Sequence, residues 1–261
     1  MKNLFEDSKD SVDIYNQDII KFLRSYPKNR KVDLVVSSPP YNIGKEYEKR
    51  IDIENYLSWK KEIIELIVPI IKSKGSLCWQ VGNYIKNGSI APLDILLHET
   101  FIENGLILRN RIVWTFGHGT HAKKRFSGRY EVIMWYTKSD DYIFNLDDVR
   151  IPSKYPNKRY YKGNKKGQIS SNPLGKNPED VWNIPNVKSN HIEKTSHPCQ
   201  FPIALVERLV MALTNKGGTV FDPFMGVGSS GLASIIHQRK FVGVEIDKEY
   251  FKIAKDRISS F

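Results

Sequence analysis

Cysteine is scarce in this chain: Cys78 and Cys199 are the two in 261 residues, far apart and without CxxC spacing. A disulfide framework and a structural zinc site are therefore not expected, and the chain reads as a protein of a reducing, cytoplasmic compartment. Long apolar runs are missing as well. No stretch approaches the ~18 apolar residues of a membrane span, and no short apolar segment follows a basic N-terminus, so neither a span nor a secretory signal is expected. Internal repeats and low-complexity tracts are absent. Acidic residues are in deficit, with 29 Asp and Glu against 40 Lys and Arg, which leaves a formal charge of +11. That excess favours a polyanionic partner, although a lysine-rich genome makes basic proteins of every kind.

What is present is an ordinary globular composition, 40% hydrophobic and 26% charged, in a chain long enough to bury a full core. Periodicity predicts strands over 12–16, 32–37, 76–81 (after a stop at Gly75), 106–116, 218–222 and 241–245. Helices are predicted over 18–25, 54–72, 92–104, 201–214, 229–237 and 248–259. The segments 129–137 and 142–145 look like strands paired with each other. The run 32–37 is almost continuously apolar, as in a strand covered on both faces. Alternating strands and helices call for an α/β fold with a doubly wound, largely parallel sheet.

The middle, about 146–196, is punctuated by proline and glycine and supports no long regular element. From Arg150 to Pro178 it holds eight basic residues and no acidic ones, with Tyr155, Tyr160 and Tyr161 interleaved. Cations can meet phosphates there, and tyrosines can stack on bases. Lys154, Lys158, Arg159, Lys162, Lys165 and Lys166 are the candidate nucleic-acid contacts of this insert. This insert, taken as 146–190, separates an N-terminal block over 1–145 from a C-terminal block over 191–261 of the same domain.

In the C-terminal block, Thr219 to Gly231 reads TVFDPFMGVGSSG, a strand, a glycine-rich turn and a helix start. Gly226 and Gly228 permit positive φ and close approach of a ligand, and Ser229 or Ser230 can cap the helix, whose free N–H groups attract an anion. Glu245 ends the next strand, 19 residues beyond Gly226, near the spacing at which an acid meets ribose hydroxyls in doubly wound folds. A GxG turn alone serves NAD, a nucleotide, S-adenosylmethionine or no ligand, and Gly231 keeps the dinucleotide reading open. Asp222 and Pro223 weigh against it, because a carboxylate beside the glycines repels a pyrophosphate but accepts from an ammonium group. A zwitterion with adenosine attached, S-adenosylmethionine, fits that description.

In the N-terminal block the strand over 32–37 runs into Ser38-Pro39-Pro40-Tyr41, a stiff exit with an aromatic and almost nothing that titrates. Together with His197–Val210 (HPCQFPIALVERLV) and Asp222–Ser229 (DPFMGVGS), in that order, this tetrapeptide resembles the β-class DNA amino-methyltransferases of bacterial restriction-modification systems. The resemblance spans nearly the whole chain. It implies a Rossmann-like methyltransferase fold in permuted motif order, with S-adenosyl-L-methionine as cofactor and the basic insert as target-recognition region. It implies further that His197, Pro198, Asp222, Pro223, Phe224, Gly226, Gly228 and Ser229 hold the cofactor, with Glu245 on the ribose and Asp18 near the adenine. Double-stranded DNA is the implied partner, with a cognate restriction endonuclease and a homodimer as states known in the family.

The same resemblance assigns Ser38, Pro39, Pro40 and Tyr41 to catalysis, and physical chemistry gives the reason. An exocyclic base amine is a poor nucleophile because its lone pair is delocalised into the ring. Accepting both of its N–H protons, at Ser38 Oγ and the Pro39 carbonyl, draws the nitrogen toward sp³ geometry. Two prolines hold that carbonyl in place, and Tyr41 can stack on a base flipped out of the duplex. Ser at the first position tilts the family toward N4 of cytosine, with N6 of adenine the alternative.

The stretch Phe116–Tyr130 carries Lys123, Lys124, Arg125 and Arg129 and reads as a mobile loop contacting DNA. His118 and His121 lack the partners of a metal site, so no metal is expected. Lys45 and Tyr47 suit a cleft wall or a solvated turn. Trp59, Trp79 and Trp114 suit core or cleft wall, Trp182 a brace for the insert, and Cys199 packing. Methylation of RNA or of a protein glutamine amide, a catalytically silent DNA-binding module and an NAD-dependent oxidoreductase are the competing readings.

Overall fold

The computed structural model describes residues 12–44, 48, 50–119, 121–188 and 190–261. Lys45 and Tyr47 lie outside the described residues. One sheet runs through the molecule from β1 (Val12–Asn16) at an edge to β10 (Lys240–Glu245), β9 (Thr219–Asp222), β2 (Val32–Ser37) and β3 (Ile71–Val81). It continues through β7 (Tyr130–Thr137) and β6 (Ile107–Thr115) to β8 (Val181–Asn183). The five strands from β1 to β3 are parallel, β7 is antiparallel to both neighbours, and β8 is parallel to β6. The largely parallel, doubly wound α/β expectation therefore holds.

Helices α1 (Ile19–Ser25), α2 (Ile53–Ile67) and α3 (Leu93–Glu103) pack on one face. Helices α4 (Ile203–Leu213), α5 (Ser229–Ile236) and α6 (Lys248–Ser259) pack on the other. Strand β2 sends Val32 and Val35 into the first core and Leu34 and Val36 into the second, which is why its sequence shows no polar alternation. Asp18, Asp52 and Asp247 each cap a helix by accepting from a backbone N–H of its first turn.

Several boundaries differ from the sequence expectation. The helix predicted over 54–72 stops at Ile67, where Val68–Ile70 makes a 3₁₀ turn at Pro69, a residue with no N–H for the ladder. Strand β3 then begins at Ile71 and passes through Gly75, which does not act as a stop. A Cβ at Gly75 would lie 2.9 Å from the Asp33 carbonyl oxygen, so glycine is there to let two backbones approach. The segment 142–145 is not a strand. The partners of β7 are β3 and β6, while the Asn145 amide donates to the Thr214 carbonyl at 2.9 Å beyond α4. Among the elements that went unpredicted are β8 and a hairpin of β4 (Asn83–Lys86) and β5 (Ser89–Pro92) turning at Asn87-Gly88, both at positive φ.

Strands β2 and β9 lie side by side although Ser37 and Asp222 are 185 residues apart. From β9 the chain winds through α5 to β10 in one direction; from β2 it winds through α2 to β3 in the other. Such a reversal opens a crevice at the carboxyl ends of the two strands, the place where doubly wound sheets bind ligands.

Candidate active site

A cavity of about 350 Å³ occupies that crevice. Asp18, Ser38, Pro39, Pro40, Tyr41, His197, Asp222, Pro223, Phe224, Gly226, Ser229 and Glu245 all line it, so stretches distant in sequence meet there. Two of the expected cofactor residues do not reach the wall. Gly228 lies beneath it as the N-cap of α5, where a Cβ would come 3.1 Å from Ala254 Cβ. Pro198 turns away while its neighbours His197 and Cys199 face in.

The glycine turn works through its backbone. Gly226 at φ +52° and Gly228 at φ +81° take left-handed conformations that carry the chain from the end of β9 to α5. Neither serine caps that helix. Ser230 Oγ instead donates to Asp222 Oδ2 at 2.6 Å, and Ser229 Oγ is buried on the cavity wall without a hydrogen-bond partner among the described residues. A buried hydroxyl left unpaired is unfavourable unless a ligand completes it. Asp222 is almost fully buried and also accepts from Ser37 Oγ at 2.7 Å and the Phe224 N–H at 3.0 Å. The Ser37 bond ties the glycine turn to the last residue of β2, one position before the Ser38–Tyr41 tetrapeptide.

Burial pushes the carboxyls of this wall up. Asp222 rises to about 6 against the hydrogen bonds of Ser230 and Ser37, and Glu245 rises to about 7. Glu245 accepts from the N–H groups of Gly226 at 3.0 Å and Asp247 at 2.8 Å, which fixes it at the end of β10. His197 is held edge-on to Tyr250, ring centroids 4.5 Å apart, and burial lowers its imidazole to about 4, so it is neutral at pH 7. Cys199 was expected to pack; it lines the cavity but is exposed.

The opposite wall is the strand exit. Tyr56 of α2 donates to the Pro40 carbonyl at 2.8 Å, while among the described residues none donates to the Pro39 carbonyl. Asn42 follows at φ +61°, and its buried amide exchanges two hydrogen bonds with the Ile51 backbone, at 2.7 and 2.8 Å. The Glu48 carboxylate accepts from the N–H groups of Asn42 and Ile43 at 2.8 and 2.6 Å. A non-glycine residue held left-handed by so many bonds marks a turn whose shape is enforced.

The loop itself holds little that titrates, but a carboxyl from another strand adjoins it. Ser38 Oγ and Tyr41 Oη are 3.1 Å apart, and Tyr41 donates to Glu131 Oε2 at 3.4 Å. Gln80 of β3 donates to the same oxygen. Glu131, at the start of β7, is pushed up by burial to about 7. Sequence reasoning missed Glu131, Gln80 and Tyr56. A lone acid in the apolar run YEVIMWYT was the available signal for the first; the other two carry none.

The ten basic residues expected to contact DNA lie outside the cavity. Lys123, Lys124, Arg125, Lys154, Lys158, Arg159, Lys162, Lys165 and Lys166 are exposed, and Arg129 is half-buried. The 116–129 loop returns into Tyr130 and Glu131, so its base adjoins the Tyr41 wall. The insert is stapled by an antiparallel bridge between Ile151 and Lys176 and returns as β8. Trp182 of β8 is buried with the Arg208 guanidinium of α4 4.8 Å from its ring, the expected brace. Among the described residues no three His, Cys, Asp or Glu side chains group as metal ligands, and no helix is long and apolar enough to cross a membrane.

Comparison with known proteins bears on what such a site does. A family model described as DNA methylase, of the N6/N4 methyltransferase type, matches residues 32–256. The type II methyltransferase M.BglII of Bacillus subtilis is 48% identical over 247 residues, covering 94% of this chain and 68% of that protein. The DNA adenine methyltransferase YhdJ of Escherichia coli K12 is 31% identical, over 94% of this chain and 82% of its own. Among solved structures, the PvuII DNA methyltransferase (cytosine-N4-specific) superposes with a TM-score of 0.75 at 20% identity, covering 94% of this chain and 86% of that one. A putative DNA modification methylase from Thermus thermophilus, solved with S-adenosyl-L-methionine, gives 0.68 at 23% identity, over 95% and 93%.

Proposed function

The chain belongs to the N6/N4 DNA methylase family, and from that premise we propose that it methylates N4 of cytosine at a specific site in duplex DNA. It is a site-specific amino-methyltransferase of the restriction-modification type, and S-adenosyl-L-methionine is its cofactor. When bound, that cofactor supplies an electrophilic methyl group. The cavity suits it: the Ser229 hydroxyl, unpaired among the described residues, the Asp222 and Glu245 carboxyls and the apolar walls of Phe224 and Trp59 offer polar and non-polar faces to a zwitterion carrying adenosine. We assign Glu245 to the ribose, Asp18 to the adenine side, and Asp222, His197 and Ser229 to the amino-acid end.

The observation that carries the catalytic reading is the unequal state of the two proline carbonyls. The Pro40 carbonyl is taken by Tyr56, which fixes the loop and leaves the Pro39 carbonyl beside Ser38 Oγ as an acceptor. Those two acceptors match the two N–H donors of an exocyclic amine, and Tyr41 offers its ring to the flipped base. The exposed cations of the 116–129 loop and of the insert hold the phosphates. Ser38 favours cytosine. The 31% identity to an adenine methyltransferase favours N6 of adenine as the second reading.

The test is incubation with labelled S-adenosyl-L-methionine and mixed-sequence duplex DNA, followed by digestion to nucleosides and mass analysis. N4-methylcytosine is the expected product. N6-methyladenine alone overturns the base assignment, and retained binding without label supports a silent module.

A further inference from the structure

One half-buried acid in the site has no part in the proposed function as it stands. Glu131 stands at the start of β7, opposite Trp114 of β6 and close to Gly82, whose Cβ position lies 3.5 Å from Glu131 Oε1. Its Oε2 takes hydrogen bonds from both the Gln80 amide and the Tyr41 hydroxyl. A carboxylate only accepts, so Tyr41 turns its proton toward Glu131 and presents its oxygen to Ser38 as an acceptor. Ser38 then points its proton at Tyr41 and its lone pairs into the cavity. That is the orientation an incoming amine donor requires.

We infer that Glu131 is the terminus of a hydrogen-bonded relay, Ser38–Tyr41–Glu131, which orients Ser38 as an acceptor and takes up the proton released by the methylated amine. This rests on the amino-methylation reading of the site. As the carbon–nitrogen bond forms, the sulfonium carbon–sulfur bond breaks and the nitrogen becomes cationic. One of its N–H bonds then breaks toward Ser38 Oγ, Ser38 passes its own proton to Tyr41 Oη, and Tyr41 passes its own to Glu131 Oε2. The cation on nitrogen and the anion on Glu131 are neutralised together, and nothing else is consumed. The 3.4 Å span from Tyr41 to Glu131 is long for an O–H···O bond, and such links commonly tighten when substrate is bound. The half-buried carboxyl, already bonded to Tyr41 on the cavity wall, is an acceptor at the end of that chain of hydroxyls.

Burial is also what raises Glu131 to about 7, opposed by the bonds from Gln80 and Tyr41, and no charged side chain among the described residues contributes to the shift. The groups that face it are Tyr41 from the loop after β2, Gln80 from β3 and the apolar partner on β6. The relay is competent with Glu131 ionised, so turnover rises with pH through about 7 and falls on the acid side.

The test is single-turnover methyl transfer at saturating cofactor and DNA between pH 5.5 and 8.5. Saturation confines the titration of Glu245 and Asp222 to the binding constants. Wild type should show an acid limb centred near 7. Glu131→Gln should lower the plateau about 100-fold, the range of general acid–base effects, and erase the limb. Tyr41→Phe, which keeps the ring and breaks the relay, should do the same, and the double variant should be no slower than either. A wild-type limb surviving in Glu131→Gln, or multiplicative losses in the double variant, overturns the relay while leaving the methylation reading intact. Absence of any transfer by wild type overturns both.

Discussion

Lys60 is the residue whose replacement should stabilise the protein most. It is fully buried on α2, and its Nζ has no hydrogen-bond partner among the described residues. Aromatic rings surround it: Trp59 at 3.9 Å, Phe224 at 4.5 Å, Tyr56 at 5.2 Å and Trp79 at 5.9 Å. Desolvation is opposed by the charge of Glu48 and by the aromatic faces. Removing an ammonium from water costs several kcal/mol, and an aromatic face returns about 0.5–2 kcal/mol, most from the nearest rings. With the two closest rings near contact and the others beyond 5 Å, desolvation wins, and burial lowers the amine well below the ordinary lysine range. The folded protein therefore carries Lys60 neutral where the unfolded chain carries it charged. In that window the unfolded state holds one more proton, so stability rises with pH by about 1.4 kcal/mol per unit. Lys60→Met fills the same space without an amine and removes this dependence. Urea unfolding between pH 8 and 9.5 should show wild type closing on the variant along that slope, with the variant more stable at pH 7 by roughly 1–4 kcal/mol. Parallel stability curves would mean the rings keep the ammonium charged, and would refute the reasoning.

Two further predictions concern binding. Glu245 at about 7 and Asp222 at about 6 must ionise to favour a cationic ligand, so cofactor affinity should fall as pH drops through this range. If Glu245 alone governs it, affinity at pH 6 should be about a tenth of its alkaline value; Glu245→Gln should flatten the profile, and an unchanged slope in that variant argues against the assignment. For DNA, Lys165→Ala and Lys166→Ala should each reduce the slope of log affinity against log salt by about 0.9, the release expected per lost phosphate contact. Equal slopes in wild type and both variants would remove these lysines from the interface.

What the sequence revealed of the site was what lies contiguously along the chain. Ser38–Tyr41 and Asp222–Ser229 carry their stiffness and turn chemistry in adjacent residues, and both line the cavity. The relay partners of Ser38 and Tyr41 were invisible because Gln80 and Glu131 arrive from two other strands, paired in a register that no local pattern specifies. Elements failed where a residue had two possible meanings. Gly75 reads as a stop but serves a close approach to Asp33, and Pro69 hides a helix end inside an unbroken apolar period. The Asn87-Gly88 turn was a plain hairpin signal, passed over because its strands are short and half exposed.

The order of the sheet also governs the order in which the molecule can assemble. β1 and β2 are made first, yet the two strands that fill the gap between them, β9 and β10, are made near the end; the Asn16 side chain bonds to the Glu245 carbonyl across 229 positions. A nascent chain that has emerged from the ribosome as far as the insert carries the whole Ser38–Tyr41 loop, but its β2 still has one bare edge. Closure must await the last strands, a high-contact-order step that is slow and leaves apolar edges exposed meanwhile. No methylation-competent fragment should therefore precede the synthesis of β10 on the ribosome.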